Sequence, residues 1–191
     1  MRSTALATAL IVAATPFTAA ANPFGGGAGS DINYDYIGSS YASTDRSGIT
    51  RLDGFDVEGS LALTDTIHVM GDFLRGKDSP DFFRRTRAAV GFHSPVNPTT
   101  DFVARIGWSF SKLENRFGSD SANGVLAQVG VRGMASPELE LNMFVSYDDT
   151  DAKASFDLGA IYNFTPDLGA TAGYSYASNL EIWSVGLRYH F

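Results

Sequence analysis

The sequence has no cysteine among its 191 residues. No disulfide can brace it, so in an oxidising compartment its stability must come from packing and hydrogen bonding. After residue 21 it has no apolar run near the roughly 20 residues that a membrane-spanning helix requires. Basic residues are scarce. The 14 Lys and Arg are outnumbered by 21 Asp and Glu, and a formal net charge of −7 argues against binding nucleic acid. The sequence lacks a nucleophile-elbow serine and a phosphate-cradling glycine loop that opens a helix. It has only three histidines. We therefore expect no enzyme, no cofactor and no metal. Glycine and aromatics are plentiful, with 20 Gly and 13% Phe, Trp and Tyr. That composition suits alternating strands joined by tight turns, and the length suits one domain.

The first 21 residues are organised differently from the rest. Arg2 is followed by a short apolar run, Ala5 to Ala14, and then by small residues, Thr18 to Ala21. This layout predicts a secretory signal peptide over residues 1–21, cleaved after Ala21. "FGGGAGS", within residues 22–30, reads as a flexible Gly-rich periplasmic lead-in. Residues 31–191 remain for the folded domain.

Read in steps of two, that domain has one apolar face in strand after strand. Phe55, Val57, Leu61 and Leu63 oppose Asp56, Glu58 and Ser60. Ile67, Val69 and Phe73 oppose His68, Met70 and Asp72. Val90 and Phe92 oppose Arg85, Arg87 and His93, and Ile106, Trp108 and Phe110 oppose Arg105 and Ser109. Val125, Val129 and Val131 oppose Gln128 and Arg132. Leu141, Met143, Val145 and Tyr147 oppose Glu140, Asn142, Phe144 and Ser146. Phe156, Leu158 and Tyr162 oppose Asp157 and Ile161. Ala170, Tyr174 and Tyr176 oppose Thr171 and Ser175. The final "WSVGLRYHF" sets Trp183, Val185, Leu187, Tyr189 and Phe191 against Ser184, Arg188 and His190. "INYDYIGSSY" is the least regular. Its tyrosines, Tyr34 and Tyr36, lead one face, and Asn33 and Asp35 the other.

Ten such segments alternate between short turns and mostly longer polar loops. The turns are "LTDTI", "NPTT", "SPEL" and "TPDL"; the loops lie around Asp45, Asp78, Asp120, Asp149 and Asn179. This is the pattern of an outer-membrane barrel, with turns towards the periplasm and loops outside. The expected fold is all-β: a closed antiparallel transmembrane β-barrel of ten strands, with eight as the alternative, in the outer membrane of a Gram-negative bacterium. A soluble β-sandwich would bury its aromatics and would not keep one face apolar in every strand. In hydrocarbon the sheet must close, so the last strand should pair with the first. Phe92, Phe102, Phe164, Tyr189 and Phe191 then form the periplasmic aromatic girdle. Trp108, Phe110, Tyr147, Phe156, Tyr176 and Trp183 form the outer one.

The stretches "YDYIGSSY", "GSLALTDTIHVMGDF", "GVRGMASPELE" and "VSYDD", with the aromatic final strand, resemble a family of small porin-like outer-membrane barrels of xanthomonads and related proteobacteria. Some members of that family were once described as a secreted quorum-sensing factor. The resemblance covers nearly all of the mature chain. It implies an outer-membrane barrel and no catalytic residues. The final strand, Trp183 to Phe191, also resembles the signal read by the barrel-assembly machinery. The partners expected on this basis are outer-membrane lipid and lipopolysaccharide, that machinery and periplasmic chaperones, around a monomer.

The inward positions carry Arg85, Arg87, Arg105, Arg132 and Arg188 together with Asp35, Asp56, Glu58, Asp72, Glu140 and Asp157. A ten-stranded interior is narrow, and buried charges persist when paired. We expect an internal ion-pair network that fills the lumen, and a structural or surface-interaction role. A narrow porin-like channel lined by the arginines is the alternative. His68, His93 and His190 all fall at the turn end, away from an outer-rim active site. A two-histidine metal site at His68 and His93 is weaker than a polar interior reading. "DDTD" at residues 148–151 resembles half of a calcium loop but lacks its glycine and closing glutamate. It reads as a solvated acidic rim.

Overall fold

The structure, a computed structural model, describes residues 30–46, 51–150, 153–178 and 180–191. The expected signal peptide and all of the lead-in but Ser30 lie outside the described residues, as do parts of the loops around Asp45 and Asp149, and Asn179. Ten strands follow one another: β1 (Tyr36–Arg46), β2 (Leu52–Ala62), β3 (Ile67–Asp78), β4 (Asp81–Asn97), β5 (Thr100–Asn115), β6 (Gly118–Ser136), β7 (Leu139–Asp148), β8 (Lys153–Asn163), β9 (Leu168–Ala177) and β10 (Leu180–His190). Each pairs antiparallel with its neighbours, and β1 pairs with β10 along its whole length, from Tyr36 opposite His190 to Arg46 opposite Leu180. The sheet is a closed barrel of ten strands, not eight, and has no edge within that seam.

Alternation sets the two faces. Ile106, Val129, Val145, Trp183, Val185 and Leu187 stand exposed on the outside, while Leu74, Val103, Leu126 and Ile161 are fully buried inside. Between the girdles the outer face meets hydrocarbon, so exposure there is what an apolar side chain requires. Nine of the girdle aromatics and the terminal Phe191 are exposed as expected; Phe110 is half-buried, with the Arg84 guanidinium 5.4 Å over its ring.

The short turns are tight because polar side chains cap them, Asn97 and Ser136 in two and threonine hydroxyls in the other two. Thr64 Oγ1 accepts from the Ile67 amide at 3.0 Å, and Thr165 Oγ1 from that of Leu168 at 3.0 Å. The other end departs from the sequence reading. "NRFGSDSANG" was expected as a long loop, yet β5 runs to Asn115 and β6 starts at Gly118. "GKDSPD" likewise closes as a hairpin, with Asp78 opposite Asp81. Beyond the membrane both faces of a strand meet water. Polar side chains there do not end the pairing, since the partner strand is already in register.

Inside, two apolar clusters lie at opposite ends. Leu52, Leu74, Phe83, Leu180 and Ile182 pack near the loop end, and Ile32, Tyr34, Val103 and Phe144 near the turn end. The charged lumen lies between them.

Candidate functional site: the charged lumen

All nine charged residues singled out for the lumen, Arg85, Arg87, Arg105, Arg132, Arg188, Asp56, Glu58, Asp72 and Asp157, line one internal cavity of about 190 Å³. Their strands hold them there because each lies at an even step from a buried neighbour. They sort into two tiers.

Near the turn end, Arg132 on β6 grips Glu140 on β7 with two bonds, Nε to Oε1 at 2.7 Å and Nη2 to Oε2 at 3.0 Å. The geometry is bidentate, the strongest form such a pair takes. The same Nη2 donates to the carbonyl of Asn33 at 3.1 Å. Arg188 on β10 reaches over the β1 seam to Glu58 on β2, Nη2 to Oε1 at 2.7 Å. Gly38 stands between them on β1, opposite both Arg188 and Glu58. In the middle tier Arg87 donates from Nε to Asp72 at 2.8 Å, its direct partner in the β3–β4 register, and Arg85 lies 4.0 Å from the other carboxylate oxygen. Asp157 accepts from the hydroxyls of Ser146 and Ser175. Asp56 has a buried oxygen without a hydrogen-bond partner.

Two expectations need correction. Arg105 belongs to no ion pair among the described residues; its Nε donates to His68 Nε2 at 3.1 Å, and its guanidinium lies 4.6 Å over Phe144. Inward charge of both signs does not ensure that each arginine meets an acid, because reach over the lumen depends on register around the whole ring. Tyr34, Tyr36 and Asp35 are also inverted. Both tyrosines are buried inside, and Asp35 turns aside to accept the Ala62 amide. Their rings serve the arginines, with Arg132 4.4 Å over Tyr34 and Arg188 3.9 Å over Tyr36, a cation–π contact strengthened by exclusion of water.

Tyr34 closes the turn-end tier. Its ring stacks on His93 at 3.8 Å, and its hydroxyl donates to Asp101 at 2.9 Å. His68 and His93 are neighbours at 5.5 Å between centroids. Arg105 donates to His68 Nε2, and no cluster of three metal-ligating side chains occurs among the described residues. Sequence reasoning set Tyr34 and Tyr36 on the face opposite Asp35 and passed over Asp101. The signals were present: Asp101 precedes the outward Phe102, and Ile37 and Tyr41, both exposed, set the phase of β1.

Gly91 makes this packing possible. A Cβ there would overlap the His68 ring. Gly91→Ala should push His68 off Arg105 and lower stability by about 1–3 kcal/mol, the usual cost of overpacking. The shift in urea midpoint of the refolded barrel measures it. A parent-like midpoint would mean that the ring moves freely.

The final strand places Trp183, Val185, Leu187 and Tyr189 on the lipid face, and the Phe191 amide donates to the Asp35 carbonyl at 3.1 Å. The family described as outer membrane protein beta-barrel domain matches residues 4–191. The chain belongs to this family. It is a Gram-negative outer-membrane protein, and the closed ten-stranded barrel is the form the family takes here. Among solved structures it is similar to Ail, the attachment invasion locus protein of Yersinia pestis, in complex with the heparin analogue sucrose octasulfate (15% identity, covering 82% of this chain and 95% of that one, TM-score 0.42). It is also similar to the KdgM porin in complex with disordered oligogalacturonate (8%, 82% and 99%, 0.47) and to the N-terminal β-barrel domain of Pseudomonas aeruginosa OprF (12%, 84% and 100%, 0.43). Comparison with curated proteins gives no match.

Proposed function

We propose that this barrel is a non-enzymatic structural or surface-interaction protein whose lumen is filled by its own side chains and does not conduct. What carries the reading is the set of ion pairs lining the interior, above all Arg132 with Glu140 and Arg188 with Glu58, backed by an apolar cluster at each end. Side chains held this way leave no continuous aqueous path and stiffen the barrel as a platform for its outer hairpins. The aromatic girdles would seat it in lipid and lipopolysaccharide as a monomer. Its last strand would be read by the assembly machinery after delivery by periplasmic chaperones. The quoted strand-and-turn stretches favour the xanthomonad branch of small barrels.

The refolded mature protein should show no steady single-channel steps in a planar bilayer. A large and stable conductance would overturn the reading. A narrow channel is the second reading, favoured by the cavity of about 190 Å³ within the lumen. Anion-selective steps that lose their selectivity in Arg105→Ala would establish it instead.

A further inference from the structure

On the outer face, at the loop end, three cations stand side by side. Arg75 on β3 is the direct cross-strand partner of Arg84 on β4, and Arg84 is that of Lys112 on β5. The residue before each, Leu74, Phe83 and Ser111, is buried inside, so alternation turns all three outward. Neighbouring strands lie about 4.8 Å apart, so the row spans about 10 Å. Lys77, also exposed, extends it along β3. Two residues back along the same strands, towards the membrane, are Phe73 and Phe110, and the Phe55 ring lies 5.9 Å from that of Phe73. The cations therefore sit on the water side of an aromatic floor.

Like charges directly opposite one another destabilise a sheet, and the nearby acids do not relieve these. Arg75 and Arg84 have no carboxylate within ion-pair distance among the described residues. Each guanidinium rests over a ring instead, at 5.3 Å from Phe82 and 5.4 Å from Phe110, and Arg84 keeps a buried Nε with no acceptor. Of the outward acids on β2 to β5, Glu114 is held by Lys112, and Asp53 lies 3.7 Å from Arg51. Asp78 and Asp81 share the phase of Leu74 and Phe83, and Asp120 that of Leu126, so all three face the other side of their hairpins. On this face Arg51, Arg75, Lys77, Arg84 and Lys112 thus stand against Asp53 and Glu114 only. The excess is local to these strands. On β1 and β10 the outward charges are acids, Asp45 opposite Glu181.

We propose that this face of β3 to β5 binds the phosphorylated headgroup of a lipopolysaccharide molecule in the outer leaflet. The inference rests on the proposed seating of the barrel in lipopolysaccharide and gives that contact its residues. Phosphate oxygens would take the free donors of Arg75 and Arg84, whose forks suit them, with Lys77 and Lys112 as point charges. The anion would relieve the repulsion along the row. Height selects a lipid over a soluble anion: with phosphate at the cations, acyl chains continue down over Phe73 and Phe110 into the hydrocarbon.

The test titrates fluorescently labelled lipopolysaccharide in detergent micelles with the refolded mature barrel and reads anisotropy. A basic residue near an anionic lipid surface is worth about fivefold in affinity, so Arg75→Gln/Arg84→Gln/Lys112→Gln should bind on the order of a hundredfold more weakly than the parent. Arg116→Gln, an exposed arginine in the β5–β6 turn, should match the parent. Lipopolysaccharide stripped of its phosphates should bind the parent as weakly as the intact form binds the triple variant. Equal affinity of parent and triple variant would overturn the proposal. Competition by phosphatidylglycerol as strong as that by unlabelled lipopolysaccharide would overturn it too, since any anionic lipid would then serve. Displacement by millimolar inorganic phosphate would reduce the site to one for the free ion. If the triple variant gives no gel-shifted barrel, the stripped lipid decides on the parent alone: undiminished binding rejects the site. Bilayer conductance scores the filled lumen separately, so either reading can fail without the other.

Discussion

Arg132→Met should destabilise the folded barrel by about 3–5 kcal/mol, the cost of breaking one partner out of a buried ion pair. Arg132 is 2% exposed and makes both of its short carboxylate bonds to Glu140, which is just as buried. With the guanidinium gone, Glu140 is left as a buried charge without its ion-pair partner. The carbonyl of Asn33 loses its donor, and the Tyr34 ring loses the cation above it. The double variant Arg132→Met/Glu140→Leu removes both charges together. It should regain most of the loss, because apolar residues of similar volume often replace a buried pair at little net cost. Equilibrium urea unfolding of parent, two single variants and double closes the cycle. Single variants within about 1 kcal/mol of the parent would place the pair in the range of exposed, solvent-screened salt bridges. A double variant as unstable as Arg132→Met would show that Asn33 and Tyr34, not Glu140, are what Arg132 supports.

The second large effect belongs to the outer face. Val129 is 50% exposed on β6, between Ala104 of β5 and Val145 of β7. In a bilayer that exposure is to acyl chains. Val129→Arg should reduce stability by about 2–4 kcal/mol, the cost of a basic side chain near the midplane of a barrel. The neighbouring residue gives the control. Gln128 points inward, donates to Ser146 at 2.9 Å, and stands opposite Arg105 in the β5–β6 register. Gln128→Glu adds a charge only one residue away, but on the face where an unpaired arginine awaits it, so it should be much better tolerated than Val129→Arg. The yield of gel-shifted barrel after refolding into lipid vesicles reads both. Two variants equally impaired, or equally tolerated, would mean that the inside and outside of β6 are misassigned.

The faces of β2 to β10 were readable along the chain. A strand between lipid and lumen carries its own code, and Leu187, Arg188 and Tyr189 announce their sides without reference to any other strand. The ten-strand count followed from the same local alternation, and closure from the need to satisfy every backbone group in hydrocarbon. β1 was the exception. Tyr34 and Tyr36 resemble girdle residues in sequence and lie inside, because a ring that can cover an arginine and reach Asp101 is as well placed in the lumen as at the membrane interface. The outer hairpins were also hidden, since polar residues such as Ser119 and Asp120 look like loop until β5 is seen opposite them.

Only the tertiary structure decided who meets whom inside. Arg188 and Glu58 are 130 residues apart and come together because β10 closes on β1 and β1 carries β2. Arg105 meets His68 instead of an acid because Gly91, between them on β4, has no side chain to hold the two apart. The sequence alone determines which residues face the lumen, because that is a property of each strand's period. It does not determine their pairing, because that depends on the stagger accumulated around the ring, and the stagger exists only once the barrel has closed.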